Sequence, residues 1–260
     1  MNEKFTYPAE NKESRDLCHL SRMFEEEKII SESPDHLILS RHDCIPICSV
    51  WRERVAQWYD DVLSMFDESR ATGYIAMNML DRYFAVQAVT NVSSYRYEVA
   101  CLTALFLAVH INGRKSLTIM NLIRMSRLDI SAKDILEAGK DITQSISLER
   151  RLLTPFDFIT QMLEFLPTVT ANRIREVVFI NADIYKMDST VARFKSSDIA
   201  MASILHELKC SDTSIFKSKI CDISGCNLFD ESVSELQAKI KYLKCMAITR
   251  SKPHVIPDTD

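Results

Sequence analysis

Glycine is scarce in this chain: only four of its 260 residues are glycine. An average protein of this length would contain roughly eighteen. Phosphate-binding loops, dinucleotide-binding fingerprints and series of tight β-hairpins all need glycine, because its backbone reaches conformations that other residues avoid. The low glycine content therefore argues against all three, and it favours helices joined by short polar loops. We predict an all-α protein.

Charge and hydropathy restrict the kind of partner that the chain can bind. The formal net charge is −4, so no basic field exists for nucleic acid, and we expect a protein partner instead. The longest apolar run, Val99–Ile111, is too short to cross a bilayer, so we expect no membrane association. Met1–Glu13 shows no signal-peptide pattern, and the eight cysteines then indicate reduced thiols in the nucleus or cytoplasm.

Motifs that carry enzyme chemistry are absent from the sequence. It contains no G-x-S-x-G, H-E-x-x-H, P-loop or EF-hand spacing, and adjacent acids such as Asp60 and Asp61 are typical of a solvated helix face. We therefore predict a protein that is not an enzyme and has no cofactor. No metal is expected either, because cysteine and histidine do not show the paired C-x₂-C spacing of a zinc site. The residues that come closest are His42, Cys44, Cys48, Cys221 and Cys226.

Apolar residues at helical spacing divide the chain into two series of helices. Residues 1–40 are polar and are predicted to form an N-terminal extension outside the main core, with a short helix at Leu17–Ile29. Residues 41–153 contain the first series. Its predicted helices are Val50–Phe66, a helix capped by Ser69, a helix capped by Ser93 or Ser94, Leu117–Met125 and Ser131–Leu148.

The second series occupies residues 154–248. Thr154 and Pro155 mark its first helix, since proline is favoured at the first helical position. Five helices are predicted at about 154–166, 171–187, 195–209, 213–223 and 229–247. Residues 249–260 should form a loose tail. The chain is thus expected to contain two all-α units of five helices each.

Three segments of the first series resemble the cyclin family. Trp51–Trp58 resembles the "M-R-x-I-L-x-D-W" helix of cyclins, Ala76–Phe84 resembles "A-x-x-y-L-D-R-F", and Cys101–Ala108 resembles the alanine-rich central helix of the cyclin box. The second series resembles the family only in pattern, through Thr154–Phe158 and the apolar helices after it. The resemblance implies a cyclin-like fold of two five-helix boxes preceded by a helical extension.

The resemblance also implies a pair of charges inside the first box. In the family, an arginine of the first helix meets an aspartate of the second helix, and the matching residues here are Arg52 and Asp81. A guanidinium can donate two hydrogen bonds to one carboxylate. The alternative interpretation is that both residues are ordinary surface charges on separate helices.

A cyclin is a regulatory subunit that binds a cyclin-dependent serine/threonine kinase and aligns its catalytic groups, and this regulates cell-cycle progression. The family binds the kinase with a lysine at the end of the central helix and a glutamate in the fifth helix. A gap-free register places His110 and Gly139 at these positions; a rival register, with a deletion, would use Glu149. The full set that the gap-free register assigns to kinase binding is Leu107, His110, Ile111, Gly139, Thr143 and Leu148. Because both charges are missing, the alternative is a cyclin-fold adaptor that has lost kinase binding.

The family docks substrate or inhibitor peptides on the first helix of the box. The matching residues here are Trp51, Arg54, Val55, Trp58 and Asp61. Arg54 replaces an apolar residue of the family, so a purely hydrophobic docking motif would lose contact area. The alternative interpretation is that Val55 and Trp58 are core residues and that Trp51 covers an edge of the core.

Overall fold

The computed structural model describes residues 12–41, 49–87, 92–113, 117–146, 148, 152–224 and 231–250. Within these ranges every regular element is a helix, which confirms the predicted all-α class. The helices are α1 (Lys12–Ser31), α2 (Pro34–Arg41), α3 (Ser49–Met65), α4 (Arg70–Gln87), α5 (Ser94–Asn112), α6 (Ile119–Met125), α7 (Ala132–Ser145), α8 (Pro155–Leu163), α9 (Thr168–Met187), α10 (Ser196–Glu207), α11 (Cys210–Ser224) and α12 (Glu231–Arg250). A short 3₁₀ helix, Ser189–Val191, precedes α10.

Two hydrophobic cores organise these helices. Helices α3–α7 enclose the first core, and α8–α12 enclose most of the second. Each core has one helix that is apolar around most of its circumference, α5 in the first half and α10 in the second. A helix of this kind must be surrounded by others to remove its surface from water. The five-plus-five arrangement agrees with the pattern read from the sequence.

Side-chain caps fix where several helices begin. Ser93, Thr118, Ser131 and Thr154 each accept a hydrogen bond from a backbone N–H in the first turn of the following helix. In α7 the carboxylate of Asp134 accepts a bond of 2.8 Å from the backbone N–H of Ser131, as the sequence predicted. A serine or threonine cap contributes about 1 kcal/mol, because its side chain accepts a hydrogen bond from a backbone N–H that has no partner within the helix.

The N-terminal helices pack against both cores, although the polar composition of residues 1–40 suggested a segment outside them. Leu20 and Met23 of α1 lie in the second core, and Leu39 of α2 lies in the first. The carboxylate of Glu27 accepts a bond of 2.9 Å from the backbone N–H of Ser197. It thereby caps α10, whose own N-cap residue makes no side-chain bond. The polar average composition of residues 1–40 did not reveal the few apolar residues of α1 that pack in the core.

Some predictions fall on residues that the structure does not describe. His42, Cys44, Cys48, Cys226 and Glu149 lie outside the described ranges, as do residues 251–260 of the predicted tail. The described residues contain no group of three or more His, Cys, Asp or Glu side chains placed to hold a metal ion. None of the described helices has the length and apolar character needed to cross a membrane.

Candidate partner-binding surfaces

A buried ion pair joins α3 to α4 in the first half. Nε of Arg52 lies 3.0 Å from Oδ1 of Asp81, and its Nη2 lies 2.7 Å from Oδ2. The two side chains are only 3% and 2% exposed, so they are not the separate surface charges of the alternative interpretation. Burial acts to lower the pKa of Arg52, but the Asp81 carboxylate outweighs it and the net shift is upward, so the guanidinium stays charged.

The same arginine links the two halves of the protein. Its Nη1 donates a bond of 2.6 Å to the backbone carbonyl of Lys186 in α9. The fully buried ammonium of Lys186 in turn binds the carboxylate of Asp60 in α3 and lies 3.5 Å from that of Asp183. Burial raises the pKa of Asp183, and the Lys186 charge opposes this rise. A network of opposite charges therefore fixes the position of α9 against α3.

Sequence reasoning missed the contact of Asp60 with Lys186, because it treated Asp60 and Asp61 alike as solvated. The signal that could have separated them is spacing. Asp60 follows Arg52 by eight residues and so lies on the same side of the helix, whereas Asp61 points away and is exposed. Neither the identity of the partner nor its place in the second half could be read from that spacing.

The kinase-binding residues implied by the resemblance lie on α5, on α7 and just beyond α7. His110 and Ile111 are exposed at the C-terminal end of α5, and Leu107 is half-buried one turn earlier. Leu148 is also half-buried and packs against the first core. The ring of His110 turns back onto its own helix: Nδ1 donates a bond of 2.8 Å to the carbonyl of Phe106, and the two ring centroids are 4.1 Å apart. It therefore projects less than a lysine would.

Gly139 lies on α7 beside α5. A Cβ atom built at this position would lie 3.7 Å from Cγ2 of Thr103, which is an ordinary van der Waals contact. The glycine is therefore not required for a close approach of the two helices. One turn later, Oγ1 of Thr143 lies 2.9 Å from the Gly139 carbonyl and donates back along its own helix. Neither of these two α7 positions therefore provides a charged side chain.

Four of the five proposed docking residues line one groove. Trp51, Arg54, Val55 and Trp58 of α3 face residues of α5 and the end of α6 across a space of about 550 Å³. Asp61 is exposed and does not line the groove. Trp58 and Val55 also pack against the first core, so the docking interpretation and the core interpretation are both compatible with their positions.

The comparisons with known proteins agree with the fold and with this arrangement of helices. Residues 19–149 match the family described as "Cyclin, N-terminal domain", which is half of the chain. The chain therefore belongs to the cyclin family. The match begins within α1, inside the segment that the sequence analysis predicted as an extension.

Curated relatives are similar to this chain in sequence, and a solved structure is similar to it in fold. The chain is 26% identical over 154 residues to G2/mitotic-specific cyclin-2 of Medicago sativa, covering 59% of this chain and 45% of that protein. It is 22% identical to Cyclin-B2-1 of Arabidopsis thaliana, covering 81% and 50%. The chain thus spans about half the length of the curated relatives it matches. The crystal structure of a viral cyclin from herpesvirus saimiri superimposes with a TM-score of 0.63 at 14% identity, over 86% of this chain and 97% of that one.

Proposed function

We propose that this chain is a cyclin-type regulatory subunit that binds and activates a cyclin-dependent serine/threonine kinase. It contributes no catalytic group itself, and it acts in the nucleus or cytoplasm to regulate cell-cycle progression. The groove on α3 would bind substrate or inhibitor peptides. The observation that carries the proposal is the match of residues 19–149 to the cyclin N-terminal domain. The family resemblance implies that this box is the part that packs on the kinase.

Exposed apolar side chains on α5 and α7 support this proposal. Ile111 is 49% exposed at the end of α5, and Leu136 is 54% exposed on α7. Large apolar side chains that stay exposed to water are typical of a protein-binding surface, where their burial would stabilise the complex. The surface that we assign to the kinase, called the α5–α7 face, consists of the residues implied by the resemblance together with Leu136. Those residues are Leu107, His110, Ile111, Gly139, Thr143 and Leu148.

A second candidate function follows from His110 and Gly139. His110 bonds to its own helix and Gly139 has no side chain, so neither provides the charged contact that the family uses. Charged hydrogen bonds contribute about 1.5–3 kcal/mol each when well placed. A chain without both would bind an ordinary cyclin-dependent kinase weakly, and it would then act as a cyclin-fold adaptor that does not activate a kinase.

Capture of a kinase by the tagged full chain distinguishes the two functions. The bound fraction from the cells that make this protein would be identified by mass spectrometry and assayed for transfer of phosphate to a protein substrate. Recovery of an active cyclin-dependent kinase is the expected result. Recovery of other proteins without any such kinase would favour the adaptor.

Two matched variants test whether the α5–α7 face makes the contact. Ile111→Asp places a charge on this face, whereas Val169→Asp places the same charge on α9, where Val169 is 82% exposed. We expect at least tenfold less kinase with Ile111→Asp and an unchanged amount with Val169→Asp. Equal capture by both variants would show that the kinase binds elsewhere.

A further inference from the structure

The groove on α3 has an apolar floor in which aromatic rings pack on one another. The ring of Trp51 packs on that of Tyr97 with centroids 5.3 Å apart, and the ring of Trp58 lies 5.6 Å from that of Tyr59. Leu102 and Met125 complete the apolar lining. Rings fixed in this way offer a preformed surface to one apolar side chain of a partner, because few rotamers remain to be ordered on binding.

Two arginines stand at the edge of this floor. Arg54 on α3 and Arg127 in the segment after α6 are both exposed, and both line the groove. Within the part of the chain that the structure describes, neither guanidinium has a hydrogen-bond or ion-pair partner. By contrast, the exposed Arg70 of α4 pairs with Glu176 and Asp183 of α9. The two guanidiniums at the groove are therefore available to carboxylates of another molecule, which arginine can bind through two parallel bonds.

The carboxylate of Glu98 also lines the groove, but it already has partners. Its Oε1 accepts bonds from Oγ of Ser126, at 2.6 Å, and from the backbone N–H of Arg127, at 3.1 Å. Glu98 thus holds in place the turn from which the Arg127 side chain projects. Arg54 and Arg127 consequently give the open edge of the groove a positive charge.

We propose that this groove binds a linear segment of a partner protein in which an apolar residue is flanked by Asp or Glu. The apolar side chain packs on Trp51 and Trp58, and the flanking carboxylates pair with Arg54 and Arg127. A segment with basic flanks would bring its charges against two guanidiniums, which disfavours it. This inference rests on the proposed function, in which the α3 groove binds peptides, and it adds the charge class of the peptides that the groove prefers.

Fluorescence polarisation with the purified full chain tests the charge preference directly. Three labelled peptides would share a Leu-Phe centre and differ only in their flanks, which are Asp/Glu, Asn/Gln or Lys/Arg. We expect the acidic peptide to bind at least about tenfold more tightly than the basic one at low salt, with the neutral peptide between them. The difference should narrow as salt is raised, since exposed charges are screened.

Charge reversal in the groove should invert this order. The double change Arg54→Glu with Arg127→Glu is expected to favour the basic peptide. Arg124→Glu is the matched control, because Arg124 is an exposed arginine of α6 that does not line the groove, and it should leave the order unchanged. Trp51→Ala should weaken the acidic and the neutral peptide by a similar factor.

Several outcomes would overturn the proposal. They are equal affinity of the wild type for the three peptides, tighter binding of the basic peptide, no binding of any peptide, an unchanged order in the double variant, or an unaffected Trp51→Ala. Circular dichroism shows whether each variant has kept its helices. If a variant has lost them, the order of the three peptide affinities measured with the wild type remains the test. Because no kinase is present in the assay, a negative result leaves kinase binding as a separate question.

Discussion

In the first half of the protein, the buried ion pair expected from the family is present, whereas in the gap-free register the two exposed charges expected from the family are absent. Inside, Arg52 and Asp81 form the buried pair that cyclins use. On the α5–α7 face, the gap-free register places His110 and Gly139 where the family has a lysine and a glutamate. Loss of one buried partner would leave a charge without compensation, at a cost of about 3–5 kcal/mol. Loss of an exposed charge leaves the free chain nearly as stable as before, so only a partner molecule would detect it.

The largest expected effect is on the interior pair. Asp81→Ala should lower the free energy of unfolding by about 3–5 kcal/mol, because it leaves the Arg52 guanidinium buried without a carboxylate. Arg52→Ala should cost a similar amount and also remove the bond to the Lys186 carbonyl. Chemical denaturation of the single variants and the double variant measures both the cost and the coupling.

The double variant provides the sharper part of this test. If the two residues act as a pair, its destabilisation should be much smaller than the sum of the two single changes. Additive effects of about 0.5 kcal/mol each, as at ordinary surface sites, would contradict the conclusion that Arg52 and Asp81 form a buried pair.

A second buried carboxylate, that of Glu27 in α1, differs from Asp81 in its partners. Glu27 is 8% exposed and has the Ser197 backbone N–H as a donor but no ion pair within the described residues. Burial raises its pKa from 4.5 to about 7. Because the folded state then binds the proton more tightly than the unfolded state, the stabilisation is complete below pH 4.5 and is lost as the pH rises through about 7.

Glu27→Gln should remove that dependence. Between pH 4.5 and 7 the wild type should lose stability relative to this variant, on the order of 3 kcal/mol at about 1.4 kcal/mol per pKa unit. Denaturation curves at several pH values give the difference. Glu25→Gln, at an exposed position on the same helix, should follow the wild type, and a Glu27→Gln curve parallel to the wild type would mean that Glu27 titrates normally.

How much of these regions the sequence could predict depends on how far apart in sequence the interacting residues are. The helices and the capping residue Ser131 follow from local spacing and local hydrogen bonds, so they were predictable. The family motif pointed to Arg52 and Asp81, although spacing alone would have left them on the surface. The bond from Arg52 to the second half could not be predicted, because Lys186 is far away in sequence and no periodic pattern relates the two residues.

On the α5–α7 face, introducing the lysine and the glutamate that the family uses should strengthen kinase binding. His110→Lys with Gly139→Glu is expected to tighten affinity for a purified cyclin-dependent kinase at least tenfold, which corresponds to 1.4 kcal/mol. Isothermal calorimetry measures it. His110→Gln with Gly139→Ala is the matched control, since it changes the same positions without adding charge.

The rival register gives the opposite outcome in that experiment. If the wild type already binds tightly, the charged double variant adds nothing and Glu149→Ala abolishes binding, then Glu149 is the family's glutamate and the α7 assignment is wrong. An equal gain from the uncharged control would instead attribute the effect to helix stability.

The smallest expected effect is the change in stability when either of two helical glycines is replaced by alanine. Gly139→Ala should stabilise the protein by about 0.5–1 kcal/mol, because alanine favours a helix and its Cβ meets only an ordinary contact at 3.7 Å. Gly73→Ala gains the same helix preference, but its Cβ would lie 3.0 Å from Cδ1 of the buried Leu63, and overpacking costs about 1–3 kcal/mol. Thermal denaturation should therefore place Gly139→Ala above the wild type and Gly73→Ala below it. The reverse order would mean that α5 and α7 need their glycine for close packing, and the missing glutamate would then have a structural cause within the chain.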